Sequence, residues 1–398
     1  MATTDPFHRI VWPLAVAETL VWAAVYYSFP ALLLEWERDL GWSKTELSGA
    51  FTLALVMSAL LAPLVGRIID RGYGPRVFTG CALAGAGLLV LLAGVTTPWQ
   101  FYVVWLGLGV AMAGMLYEAC FAVLTRAMGS RRKQAITIVT LVAGFAGTLA
   151  FPGAHALVGL VGWRGTMRVL AAIVALVAGP LIWFGSHTAE RHGDGQAPAA
   201  SHRATDLALT LRSPTFWLLA LGFVAIALDH GVLLTHLLPL LDERSMPSGT
   251  AVLAASMIGP MQVAGRLAMI ATERHVSTLH IFAACFIAMG IAAMSLLEAS
   301  AYPVLLISFV LFQGAGYGVT SIMRPVVIAE LLGHKNFGLI AGLLAVPFLG
   351  AAAAAPTVAA FIWRAGGYDT VIRFAVGASG LGLIALLGAA RLSTRIVD

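Results

Sequence analysis

Long apolar runs follow one another along nearly the whole of this chain, and that succession limits its fold more than any other feature. A helix needs about 20 mostly apolar residues to cross hydrocarbon. On that measure there are twelve predicted spans, at approximately 9–34, 45–69, 75–96, 99–127, 134–160, 165–186, 214–240, 249–273, 278–297, 302–332, 336–363 and 369–391. Only helices and closed barrels satisfy their backbone groups in lipid, and these runs are too long for barrel strands of about 10 residues. The expectation is an all-α membrane protein. Composition agrees, since 60% of the residues are hydrophobic against roughly 45–50% in soluble domains, and the mean hydropathy is +0.90.

Arginine and lysine set the predicted orientation, because cytoplasmic loops carry their excess. Arg67, Arg71 and Arg76; Arg126, Arg131, Arg132 and Lys133; Arg191, Arg203 and Arg212; and Arg391 and Arg395 all fall on one side of a twelve-span arrangement. Both termini are then cytoplasmic, and the first span reads as retained, because no small-residue cleavage site follows it. A bacterial inner membrane is the expected location. One long polar stretch, Ser186 to Asp206, has the composition of a flexible linker. It divides the chain into a six-helix half at 1–186, a cytoplasmic linker at 187–212 and a second six-helix half at 213–398.

The net charge of +5 is dispersed at the ends of apolar runs, so no basic face suggests nucleic-acid binding. Cys81, Cys120 and Cys285 lie inside apolar segments and read as small buried hydrophobes. No nucleophile sits beside a base, no phosphate loop occurs, and no His or Cys set has metal spacing. An enzyme, a cofactor and a metal are therefore not expected, and a monomer embedded in the bilayer is.

The two halves also align on each other. Gly129 with Gly333, Pro152 with Pro356 and Gly162 with Gly366 share an offset of 204, and Arg168 falls close to Arg373. Six-helix repeats are a recurring design of secondary transporters, with substrate held between them. The stretch GRIIDRGYGPR, Gly66 to Arg76, resembles the loop between helices 2 and 3 of the major facilitator superfamily, written G-x-x-x-D-R-x-G-x-R/K. Gly66, Asp70, Arg71, Gly74 and Arg76 match it, with one additional residue between Arg71 and Gly74. The resemblance implies a conformational latch at Gly66, Asp70, Arg71 and Arg76, in which Gly66 lets helices approach and Asp70 accepts from a helix N-terminus or pairs with arginine. DLGWSKTELSGAF, AGFAGTLAFPG followed by GWRG, and IGPMQVAGRL look like the bacterial relatives of monocarboxylate transporters and oxalate–formate exchangers. That narrower resemblance implies a small organic anion as substrate, moved with protons or by exchange.

Charges inside spans by default mark a pathway, a proton relay or an ion pair. At about 1.5 Å per residue, Glu118 lies about 12 Å inside Arg126, and Arg324 about 15 Å from His334. These two either bind substrate and proton or pair with each other. Arg266 falls where the monocarboxylate-transporter resemblance places a substrate-binding arginine, although Gln262 stands where animal members have aspartate. A guanidinium can hold a carboxylate with two parallel hydrogen bonds; the alternative is an arginine snorkelling to the surface. Asp229 and His230, with His236 nearby, suit a proton-coupled step; the alternatives are an outer gate or a helix break at Gly231. Glu18 is a further proton-coupling candidate. Tyr26, Tyr117 and Gln262 offer hydrogen bonds to substrate, while Trp12, Trp99 and Trp105 read as an aromatic belt. A proton-driven exporter of amphipathic or cationic compounds, bound by Glu118 and Glu18, is the competing expectation.

Overall fold

The computed structural model describes residues 6–128, 131–192, 211–332 and 337–393, and the described residues are helical with short turns. The chain divides into two compact units, 1–199 and 200–398. Gly129, Gly333 and most of the proposed linker lie outside the described residues, as do the side chains of Asp70, Arg132 and Lys133. Helix Gly179–His192 runs past the expected linker start at 187.

Among the described residues ten helices are long and apolar enough to cross a membrane: Pro6–Leu40, Lys44–Ile68, Arg71–Leu92, Pro98–Met128, Gln134–Arg191, Pro214–Glu243, Ser248–Thr272, Thr278–Leu297, Val304–Leu332 and Ile340–Ser393. Two of them, of 58 and 54 residues, are more than twice as long as one crossing needs. Both are broken by glycine. Gly162 has φ 68° and ψ 172°, and Gly367 has φ 72° and ψ −178°, a region open to glycine and barred to L side chains.

Local signals explain several helix ends. In DLGWSKTE, Gly41 adopts the left-handed conformation (φ 70°) that closes Pro6–Leu40. Two residues later Ser43 opens the next helix with a capping box. Its hydroxyl accepts from the Glu46 amide at 3.2 Å, and the Glu46 carboxylate accepts from the Ser43 amide at 2.9 Å. Before Pro98 only the second half of the device recurs, the Gln100 side-chain oxygen accepting from the Thr97 amide at 3.2 Å.

Each unit, taken by itself, repeats one construction around its broken helix. In the first, Arg164 and Asp39 form an ion pair at 2.6 Å, and the Trp163 indole donates to the same carboxylate at 2.7 Å. In the second, Arg244 pairs with Asp369 at 2.6 Å, and Tyr368 follows Gly367 as Trp163 follows Gly162. Asp39 and Arg244, Arg164 and Asp369, and Gly162 and Gly367 all differ by 205 positions. The bridge is kept while its charges exchange helices. Close packing repeats as well: a Cβ on Gly109 would enter the Ala54 backbone, and one on Gly314 would lie 2.8 Å from the Ile258 carbonyl.

Three expectations need correction. Trp105 is fully buried among Phe29, Trp36, Phe51 and Phe101, so it is core and not belt; Trp12 and Trp99 are exposed. Nothing lies within 4 Å of a Cβ placed on Gly66, so close helix approach is not its role. Helix Pro214–Glu243 passes through Gly231 unbroken. That glycine instead admits Ala355 of the neighbouring helix.

Candidate functional site

In the first unit the polar residues gather where helical geometry is irregular. Helix Pro6–Leu40 widens into a π-helical turn at Trp22–Tyr26, a distortion frequent at functional sites. Helix Pro98–Met128 is interrupted at Leu116, whose extended backbone has φ −106° and ψ −167°. Tyr117 and Glu118 follow at once. The Trp22 indole donates to Glu18 at 3.1 Å and its ring lies 4.7 Å from that of Tyr117. Tyr26 packs 4.9 Å from Trp22 on the other side, and Tyr117 stacks on Phe121 at 5.0 Å.

Glu18 is fully buried, its second carboxylate oxygen has no hydrogen-bond partner, and the Cys120 thiol lies against it. Glu118, by contrast, is accessible and close enough for the two carboxylates to repel. The arrangement is an aromatic wall with one buried and one accessible acid. Glu18, Glu118, Tyr26 and Tyr117, singled out separately in the sequence, come together here; Trp22, which joins them, was not singled out.

In the second unit the charged residues surround Tyr317 on helix Val304–Leu332. His230 stacks face to face on its ring, 3.4 Å between centroids and 7° between planes. Arg266 and Arg324 both act on it electrostatically. Arg266 is buried at 9% exposure, which removes the snorkelling alternative, and its Nε donates to the Gly318 carbonyl at 2.9 Å. That geometry depends on close approach, since a Cβ on Gly318 would lie 2.5 Å from the Gln262 Cα. Gln262 is itself buried. Arg324 lies 3.7 Å over the Phe348 ring, and its buried Nε has no hydrogen-bond partner.

Adjacent residues on a helix project about 100° apart, and Asp229 accordingly turns away from His230. It is fully buried and accepts from Ser379 at 3.3 Å. His236 bridges Tyr368 at 3.2 Å and the Pro356 carbonyl at 3.1 Å, a structural tie and not part of this cluster. Tyr317, Gln313 and Ser379 are the residues that sequence reasoning missed.

The GRIIDRGYGPR segment holds its turn through Gly72, at φ 90°. Arg126 donates to the Ile69 carbonyl at 3.3 Å, and the Arg126 guanidinium and the Glu190 carboxylate both lie beside Gly72. Together with Ser186 they line a small cleft against the start of helix Gly74–Leu92. Arg71 and Arg76 are exposed, and Arg76 lies over the Tyr73 ring at 5.9 Å.

Comparisons with known proteins agree with this architecture. Residues 14–277 match the sequence profile of the Major Facilitator Superfamily. An MFS-type efflux pump of Mycolicibacterium smegmatis is 26% identical over 230 residues, 55% of this chain and 52% of that protein. The chain therefore spans about half the length of that relative. The MFS transporter asaE of Aspergillus flavus is 24% identical over 88% of this chain and 78% of its own. Among solved structures, a bacterial homologue of the human lysosomal transporter Spinster, inward-facing and occupied, superposes with a TM-score of 0.71 at 14% identity, covering 98% of both chains. A mutant of the nucleoside transporter NupG gives 0.70 at 14% identity, over 98% of this chain and all of that one. At these identities the structural likeness is one of fold. A helical chain of many apolar spans, with the loop motif and this profile match, is a multi-pass membrane transporter and not an enzyme, and it belongs to the Major Facilitator Superfamily.

Proposed function

We propose that this transporter moves a small organic anion, monocarboxylate-like, by alternating access. The observation that carries the reading is the pair of guanidinia in the second unit, Arg266 on the Gly318 carbonyl and Arg324 over the Phe348 ring, both near enough to Tyr317 to act on it electrostatically. The buried Nε of Arg324 is left without a hydrogen-bond acceptor, and a cation inside a span is costly without a counter-charge. A carboxylate substrate supplies both needs, and guanidinium is the side chain best matched to it. Gln262, buried in the same unit, contributes a further polar contact in this reading, while Tyr26 and Tyr117 are polar groups of the first unit's aromatic wall. Glu118 and Glu18 carry the coupling proton, because two acids that repel each other favour holding one proton between them.

The two long broken helices each count as two crossings, giving twelve spans in two six-helix halves, with both termini cytoplasmic in a bacterial inner membrane and the protein acting as a monomer. The halves are 1–186 and 213–398, joined by the linker. The latch of Asp70, Arg71 and Arg76 holds one state of the cycle, with Arg126 and Glu190 as its supports.

A second reading, export of amphipathic or cationic compounds, draws on the aromatic wall beside Glu18 and Glu118 and on the efflux pump of M. smegmatis. Aromatic faces and a carboxylate suit cations. Uptake into proteoliposomes separates the two. Lactate, formate or oxalate uptake that is lost in Arg266→Ala and Arg324→Ala supports the anion reading; carboxylates inert in the wild type, with lipophilic cations transported and Glu118→Gln inactive, support the exporter.

A further inference from the structure

Deep inside the second unit, three polar atoms on two helices meet no partner. The Asp229 Oδ1 and both amide atoms of Gln313 are buried and unpaired. Asp229 is fully buried and Gln313 is 1% exposed. A third helix contributes Ser379, 3% exposed, whose hydroxyl reaches the other carboxylate oxygen of Asp229 at 3.3 Å. Gln313 lies against the same carboxylate, short of full hydrogen-bond geometry. Each buried polar group left unsatisfied costs on the order of 1–3 kcal/mol, and a native core rarely leaves several together. Such a gathering has the form of a site whose occupant completes it.

We propose that Asp229, Gln313 and Ser379 form a binding site for a monovalent alkali cation, sodium in the first instance. The donor set is a carboxylate oxygen, an amide carbonyl and a hydroxyl, which suits a hard cation. Among the described residues no three His, Cys, Asp or Glu side chains converge, so a transition metal has no ligand set here. One carboxylate balances one positive charge. A divalent ion would leave an excess charge in the same unit as Arg266 and Arg324, both of which already act on Tyr317. Water would satisfy the amide but leave the Asp229 charge unbalanced. The tilt of neighbouring side chains supports the division of roles: Gln313 and Tyr317, four residues apart, share one helix face, and His230 covers Tyr317 while Asp229 turns to Ser379. Cation binding at Asp229 and Gln313 and anion binding around Tyr317 thus lie about one helical turn apart along that helix. As a coupling ion, the cation rests on the transporter reading; its binding does not depend on the identity of the substrate.

The test is the melting temperature of the purified full-length protein, without substrate and at fixed pH and ionic strength, in sodium, potassium or choline chloride. A ligand of the folded state raises the melting temperature with its concentration. The proposal predicts a saturable rise in sodium over choline, absent in Asp229→Asn and Gln313→Leu, and a half-saturating concentration raised about tenfold or more in Ser379→Ala, the equivalent of about 1.4 kcal/mol. Equal melting temperatures in all three salts overturn it, and this outcome needs no variant to fold. A rise that follows pH and ignores sodium identifies Asp229 as a proton site and overturns it equally. A sodium response in a protein that ignores carboxylates keeps the cation site and defeats only the organic-anion reading.

Discussion

Glu118 and Glu18 show how residues of one type divide a task by environment. The first is accessible beside the break at Leu116; the second is sealed behind the Trp22 indole. Replacing Glu118 by Gln removes the repulsion while keeping shape. Proteoliposome uptake by Glu118→Gln is expected to lose its dependence on pH while substrate still binds. Uptake that keeps the wild-type pH profile would remove Glu118 from the coupling step. At this scale the sequence was most legible where chemistry is rare. Ionisable residues are conspicuous in a chain only 11% charged, so Arg266, Arg324, Asp229 and both glutamates stood out. Trp22, Tyr317, Gln313 and Ser379 did not, because aromatic and small polar side chains are ordinary in membrane helices, and only packing distinguishes a site from a belt. Trp105 failed for the same reason in the opposite direction.

Helices here are shaped by a few positions whose backbones do something a helix does not. Gly162 stands in the left-handed region with nothing within 4 Å of a Cβ, so its substitution tests conformation alone. Gly162→Ala is expected to cost about 1–2 kcal/mol, whereas Gly66→Ala, in a helix with open space around it, is expected to gain up to about 1 kcal/mol of helix propensity. Melting curves of the two variants check both signs. The bridge beside Gly162 offers a sharper test. Asp39→Arg leaves two guanidinia facing each other and the Trp163 indole without an acceptor, a loss on the order of 1–2 kcal/mol. Adding Arg164→Asp recreates the polarity that Arg244 and Asp369 use in the second unit, and is expected to recover most of the loss. A double variant as unstable as the single would mean that the repeated bridge is not the stabilising contact. Capping signals such as Gly41, Ser43 and Glu46 were readable in the sequence. The break at Leu116 was not, since it involves neither glycine nor proline at the broken position.

The whole molecule follows from its apolar runs, which left helices as the economical way to span lipid. The offset of 204 read in the sequence is shifted by one in the structure, where the positive-φ glycines, Gly162 and Gly367 in place of Gly366, and the two bridges recur at 205, each internal to its own unit. The site was less legible than the fold because it depends on side chains converging from distant segments: Arg266, Tyr317 and Arg324 are spread over two helices, and nothing in their local sequence announces that they meet. The most direct test of the central claim is therefore equilibrium binding of small carboxylates to purified wild type and Arg266→Ala, with Arg266→Lys as the charge-keeping control. The account predicts that wild type binds, that Arg266→Ala weakens binding about 10- to 100-fold, as loss of a charge-assisted pair implies, and that lysine restores only part of it. Carboxylate binding unchanged by Arg266→Ala, or absent from a wild type that binds lipophilic cations, would contradict it.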